Sequence, residues 1–164
     1  ETLVFTGESL DGAQSATLAG NVQFAGVRTI DTSAAEGDFT LDLTGFTVAL
    51  NVIAGAGDDT LLLGSGGSSV QGGEGDNAVT VGAANDGVHD DSITLGSGDD
   101  RVLVSNAQLT QHLAVAATTG TDTLEVTTDA TVVDADFAQL SGFDRFVLGA
   151  DAADNAQSAT LGAN

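Results

Sequence analysis

The middle of the chain repeats every nine residues. From Ala54 the units read AGAGDDTLL, LGSGGSSVQ and GGEGDNAVT, and after a five-residue insertion at 81–85 they resume as DGVHDDSIT and LGSGDDRVL. The second position is Gly55, Gly64, Gly73, Gly87 and Gly96, and the fourth is Gly57, Gly66, Gly75 and Gly98, with His89 as the exception. The eighth is always a β-branched or leucine side chain: Leu61, Val70, Val79, Ile93 and Val102. Glycine at these places permits the positive φ of a tight turn. The aliphatic residue points inward and stacks on its equivalents. The expectation is an all-β fold, a parallel β-roll or β-solenoid in which each nonapeptide makes half a turn.

The rest of the chain agrees with that pattern. Helical periodicity is almost absent, apart from one plausible turn around residues 135–140. Sixteen short strand-like runs recur along the chain, among them Val22–Phe24, Ser69–Gln71, Arg101–Val104, Thr123–Val126, Thr131–Val133 and Arg145–Leu148, separated by Gly, Asp, Ser and Asn. A sandwich would carry longer strands and tight hairpin signals. No proline-rich or serine-rich linker divides the chain, so residues 1–164 are read as one solenoid module, with 54–103 as its most regular part.

The turns also concentrate oxygen ligands. The sixth position of the repeat is Asp59, Ser68, Asn77, Asp91 and Asp100, and Asp86 sits in the fourth unit's loop. Calcium takes 6–8 such oxygens, and turn carbonyls add to them. The candidate ligands are Asp59, Asn77, Asp86, Asp91 and Asp100, with the backbone of Gly55, Gly57, Gly73, Gly75, Gly96 and Gly98. Two of the five sixth positions lack a carboxylate, so one to three Ca2+ ions are expected rather than a full ladder. If the insertion does not change sides, Asp59, Asn77 and Asp100 line one edge and Ser68 and Asp91 the other.

Residues 54–62, 72–80 and 95–103 resemble the nonapeptides of the RTX family of calcium-binding β-roll proteins. The flanks, such as TIDTSAAEGDFTLDLTG and QLSGFDRFVLGA, more loosely resemble the strand-rich parts of very long bacterial RTX adhesins and S-layer proteins. The resemblance implies calcium, a parallel β-roll and export from the cell. The C-terminal export signal of that family is not recognisable here.

A longer repeat links the two ends. DGAQSATLAGN at 11–21 recurs as DNAQSATLGAN at 154–164, with eight of eleven positions identical at an offset of 143. ETLVFTGES at 1–9 matches DRFVLGADA at 144–152 in pattern. The simplest reading is a tandem array whose period equals that offset, of which this sequence holds one period and the start of the next. At about 18 residues per rung and ~4.8 Å between strands, a period would make roughly 8 rungs and about 40 Å. A solenoid end exposes unpaired strand edges, so identical or similar modules are expected to stack end to end, in the same chain or as separate copies. Glu8, Asp11, Asp151 and Asp154 are candidate calcium ligands at such a junction.

Composition narrows the function. Three arginines, no lysine and 24 acidic residues give a net charge of −21. Nucleic-acid binding needs basic patches that are missing here. A charge this large opposes compaction unless cations neutralise it. No run approaches the ~20 apolar residues of a membrane helix. No signal peptide opens the sequence, and a strand pattern directly after Glu1 suggests a mature piece of something longer. Cysteine and lysine are absent and the only histidines are His89 and His112, so catalysis is not expected. The expected role is a structural repeat of an extracellular, secreted bacterial surface or matrix protein that folds on calcium. The alternatives are a ligand-binding adhesin module, with a surface glycan as partner, or an accessory β-roll of a secreted enzyme.

Overall fold

The computed structural model describes residues 1–5, 13–18, 26–82, 90–109, 113–128, 131–149 and, for the backbone alone, 158–160. The strand expected at 22–24 lies outside the described residues, as do His89 and His112.

The described chain winds as a parallel β-solenoid. One sheet stacks β1 (Thr2–Val4), β3 (Thr29–Asp31), β5 (Asn51–Ile53), β7 (Ser69–Gln71), β9 (Asp91–Thr94), β11 (Leu113–Ala116) and β14 (Leu140–Ser141). The facing sheet stacks β2 (Gln14–Thr17), β4 (Phe39–Asp42), β6 (Thr60–Leu62), β8 (Ala78–Thr80), β10 (Arg101–Val104), β12 (Thr123–Val126) and β15 (Arg145–Leu148). A third, two-stranded sheet pairs β13 (Thr131–Val133) with β16 (Ser158–Thr160). Every pairing is parallel, because the chain always returns to the same face after one turn.

Register follows the aliphatic positions. Leu41, Leu61, Val79, Val102 and Leu124 form one inward file, each beside the next across the ladder. Ile30, Val52, Val70, Ile93 and Val115 form the other. All ten are at most 2% exposed. Burying each such side chain contributes about 1.5–3 kcal/mol. A one-residue slip would turn a whole file to solvent, so the files fix the register.

The two edges differ. Turns from the first sheet to the second occupy 54–59, 72–77, 95–100 and 117–122, all of equal length. Nearer the ends this edge is longer, at 32–38, and shorter, at 142–144, while the opposite edge takes the insertion after β8 and a short helix, α1 (Asn106–Leu109). A full turn therefore equals two nonapeptides only in the middle, where Asn51 pairs with Ser69 and Thr60 with Ala78. It is longer where Ser69 pairs with Ser92 and where Arg101 pairs with Thr123. These longer turns explain why the main sheets have seven strands each rather than eight, which at ~4.8 Å per step is about 30 Å of stack.

The helix α1 departs from the expected run of strands and turns. Its Leu109 is buried, and the buried Gln108 donates through Nε2 to the carbonyls of Val81, at 3.0 Å, and Gly82. A 3-10 turn over Asp134–Phe137 falls close to the expected helical turn.

Candidate functional site

The edge that leads from the first sheet to the second is stitched by two rows of side chains, all aspartates except Asn77. The inner row is Asp59, Asn77, Asp100 and Asp122, each 1% exposed. Each side chain accepts a backbone N–H from the preceding turn. Asp59 Oδ1 takes Phe39 N at 2.8 Å, Asn77 Oδ1 takes Asp59 N at 3.0 Å, and Asp100 Oδ1 takes Asn77 N at 2.8 Å. Asp122 Oδ1 takes Asp100 N at 3.0 Å, and Asp144 Oδ2 closes the row on Asp122 N at 3.1 Å. The outer, exposed row bonds in the opposite direction. Asp38, Asp58, Asp76 and Asp99 accept from the N–H groups of Asp58, Asp76, Asp99 and Thr121, all within 2.8 Å. Both amides of the pairs 58–59, 76–77 and 99–100 are satisfied this way, and the inner ones, being buried, need it.

The glycines have two roles here. Gly57, Gly73, Gly75, Gly98 and Gly120 adopt positive φ. Successive turns also pack backbone on backbone. A Cβ on Gly73 would run into the Gly55 carbonyl, one on Gly96 into the Gly73 carbonyl, and one on Gly98 into the Gly75 carbonyl. The repeated glycines are therefore what lets the turns stack at strand spacing.

The inner row leaves oxygens over. Asp59 Oδ2, Asp100 Oδ2 and Asp122 Oδ2 are buried with no hydrogen-bond partner. Asn77 shows what this geometry wants at the second arm: its Nδ2 donates to Gly75 O, two positions back, at 2.9 Å. A carboxylate in the same place brings a second oxygen where the amide brings a donor. Burial accordingly pushes the Asp59 carboxyl up to about 6; the N–H groups of Phe39 and Gly55 oppose the rise, and the charges of Asp38 and Asp58 add to it. Burial also raises Asp100, against hydrogen bonds from Asn77, with the charges of Asp122 and Asp76 adding to the rise. A proton or a cation on these oxygens would relieve the conflict.

The expected site residues fall as follows. Asp59, Asn77 and Asp100 share one edge, with Gly55, Gly57, Gly73, Gly75, Gly96 and Gly98 in the same turns. Asp91 lies on the other edge, where its Oδ1 accepts Ser68 N at 2.7 Å. Asp86, Glu8, Asp11, Asp151 and Asp154 lie outside the described residues. Among the described residues, no three Asp, Glu or His side chains converge as a metal cage. An ion on this edge would therefore draw on a single inner carboxylate per turn, with turn carbonyls for the rest.

Sequence reasoning missed Asp38, Asp122 and Asp144. A signal existed: Gly120–Asp122–Leu124 and Gly142–Asp144–Phe146 repeat the Gly98–Asp100–Val102 spacing at a constant interval.

The fold and this edge define the class: a parallel β-solenoid with aspartate-stitched turns. No family model matches the chain, and neither a curated protein nor a solved structure matches it.

Proposed function

We propose that this chain is a structural module of an extracellular surface or matrix array, a solenoid that takes up calcium along its aspartate edge and stacks end to end. The observation that carries the reading is the set of three buried, unpartnered carboxylate oxygens on Asp59, Asp100 and Asp122. Asp59, Asp100 and Asp122 would hold the ions together with carbonyls of their turns. Calcium would supply the positive charge that the inner row lacks, beside an outer row of exposed carboxylates in a chain of net charge −21.

The linkage has a direct consequence. An ion that binds the folded edge and not the unfolded chain stabilises the fold by RT ln(1 + [L]/Kd), about 2.7 kcal/mol at a hundredfold excess over Kd. The module would be weakly folded at low calcium and firmly folded where calcium is abundant, which suits a protein that crosses a membrane before it folds. The test is circular dichroism and light scattering of the chain, first in chelator and then titrated with calcium. Calcium-driven gain of strand signal with growth into long particles supports the reading. An identical spectrum, midpoint and particle size in chelator and in calcium would remove it.

A further inference from the structure

The repeat that links the two ends, compared strand by strand, equates elements that lie in different sheets. Thr2, Leu3, Val4 and Phe5 correspond to Arg145, Phe146, Val147 and Leu148, so β1 is equivalent to β15. Ser15, Ala16 and Thr17 correspond to Ser158, Ala159 and Thr160, so β2 is equivalent to β16. Yet β1 begins the first sheet and β15 ends the second, while β2 begins the second sheet and β16 lies in the third.

The phase agrees as well. Leu3 and Phe5 pack on the core at one end, as Phe146 and Leu148 do at the other. Along the solenoid, inward residues donate their N–H to the following turn, as Phe5 does to Asp31 O at 2.9 Å. Outward residues donate to the preceding turn, as Arg145 does to Asp122 O at 3.0 Å. On β15, backward bonding to β12 therefore uses Arg145 and Val147. The amides of Phe146 and Leu148, equivalent to those of Leu3 and Phe5, face away from β12 on the outermost strand of the sheet.

We infer that β15 and β16 form a rung shared by two successive copies: the last rung of one and, at the same time, the first rung of the next. The partner is a second copy of this chain. A following β3 would pair with β15, as β3 pairs with β1, and a following β4 would pair with β16, as β4 pairs with β2. The second sheet of one copy then runs on as the first sheet of the next, and the third sheet as its second. The short β13–β16 sheet is the adaptor that makes this handover possible. Among the described residues the first sheet ends at β14; the roll turns by one face, and the outer edges of β15 and β16 are both covered at the joint. This deepens the end-to-end stacking proposed above and rests on it.

The test compares the intact chain with a doubled chain in which residues 22–164 follow residue 164 directly. Amide hydrogen exchange is read at Phe146 and Leu148, with Val147 as the internal reference. In the doubled chain the first copy's Phe146 and Leu148 amides are expected to slow by roughly 100-fold, to the level of Val147. Unchanged exchange at Phe146 and Leu148 beside a protected Val147 would overturn the shared rung. A second measurement does not depend on the doubled chain folding. The sequence has no cysteine, so an Arg145→Cys chain can be mixed with a Thr29→Cys chain that lacks residues 1–21 and so leaves the β1 side of β3 open, assembled in calcium and oxidised. A mixed disulfide between copies is expected, because Arg145 stands where Thr2 pairs with Thr29. Particles that grow without that disulfide would refute the inference and leave end-to-end stacking standing. Protected joint amides in a doubled chain whose single copies never assemble would support the shared rung and sink non-covalent stacking.

Discussion

Replacing Asp59 by Asn removes a buried charge while keeping both arms of the side chain, as the neighbouring turn already does with Asn77. The amide oxygen still accepts Phe39 N, and by the equivalence of the two turns the new Nδ2 is expected to donate to Gly57 O as Asn77 donates to Gly75 O. The magnitude follows from the carboxyl, which burial raises from 3.8 to about 6. An acid whose folded value lies above its unfolded one binds its proton more tightly in the folded state. Its stabilising contribution is full below about pH 4 and is lost as pH rises through about 6. The whole shift corresponds to about 3 kcal/mol. Solvent at the edge screens part of it, leaving an expected gain of ~1–3 kcal/mol for Asp59→Asn at pH 7.5 in chelator. At pH 4 the variant and the parent should agree within about 0.5 kcal/mol, because both side chains are then neutral. Urea unfolding at the two pH values measures the difference directly and cancels the general effect of the net charge. Asp59→Ala is the counterpart: it strands the Phe39 N–H and should cost about 1–3 kcal/mol at pH 4, a loss that removal of the buried charge offsets at pH 7.5. Loss of stability in Asp59→Asn at pH 7.5, or a gain that does not depend on pH, would refute the reasoning.

Three further substitutions probe other layers of the structure. Gly96→Ala puts a Cβ into the Gly73 carbonyl and should lower stability by more than ~2 kcal/mol in thermal melts, with or without calcium. Leu61→Ala opens a cavity in the inward file between Leu41 and Val79 and should cost about 2–5 kcal/mol by denaturant unfolding. Arg101→Ala removes the exposed ion pair with Glu125 and should change stability by less than about 1 kcal/mol, vanishing in high salt.

Much of the architecture was legible because the aliphatic position of the repeat is both the buried residue and the register marker. The strands Ser69–Gln71, Arg101–Val104, Thr123–Val126, Thr131–Val133 and Arg145–Leu148 fall on the expected residues. The edge shared by Asp59, Asn77 and Asp100 was legible too, because the insertion lengthens only the opposite edge. What was hidden has physical causes. The helix α1 is a single turn, Asn106–Leu109, too short to show a helical period. Strand β14 spans only Leu140 and Ser141 and follows closely on a 3-10 turn. Asp122 escaped because Thr118 replaces the first glycine of its turn and the longer opposite edge breaks the nonapeptide count. The handover between sheets was invisible, because equivalence between the two ends of the sequence does not say which face a strand joins.

Calcium uptake is the most direct measure of whether the inner carboxylates hold ions. Titration calorimetry at pH 7.5 and pH 5 would compare the parent with a variant carrying Asp59→Asn, Asp100→Asn and Asp122→Asn, its fold checked by circular dichroism. The parent is expected to take up one to three ions at pH 7.5 and to bind more weakly at pH 5, where protons compete for Asp59. The folded triple variant is expected to lose them. A parent that binds no calcium, or a triple variant that binds as the parent does, would contradict the assignment of this edge as a calcium site.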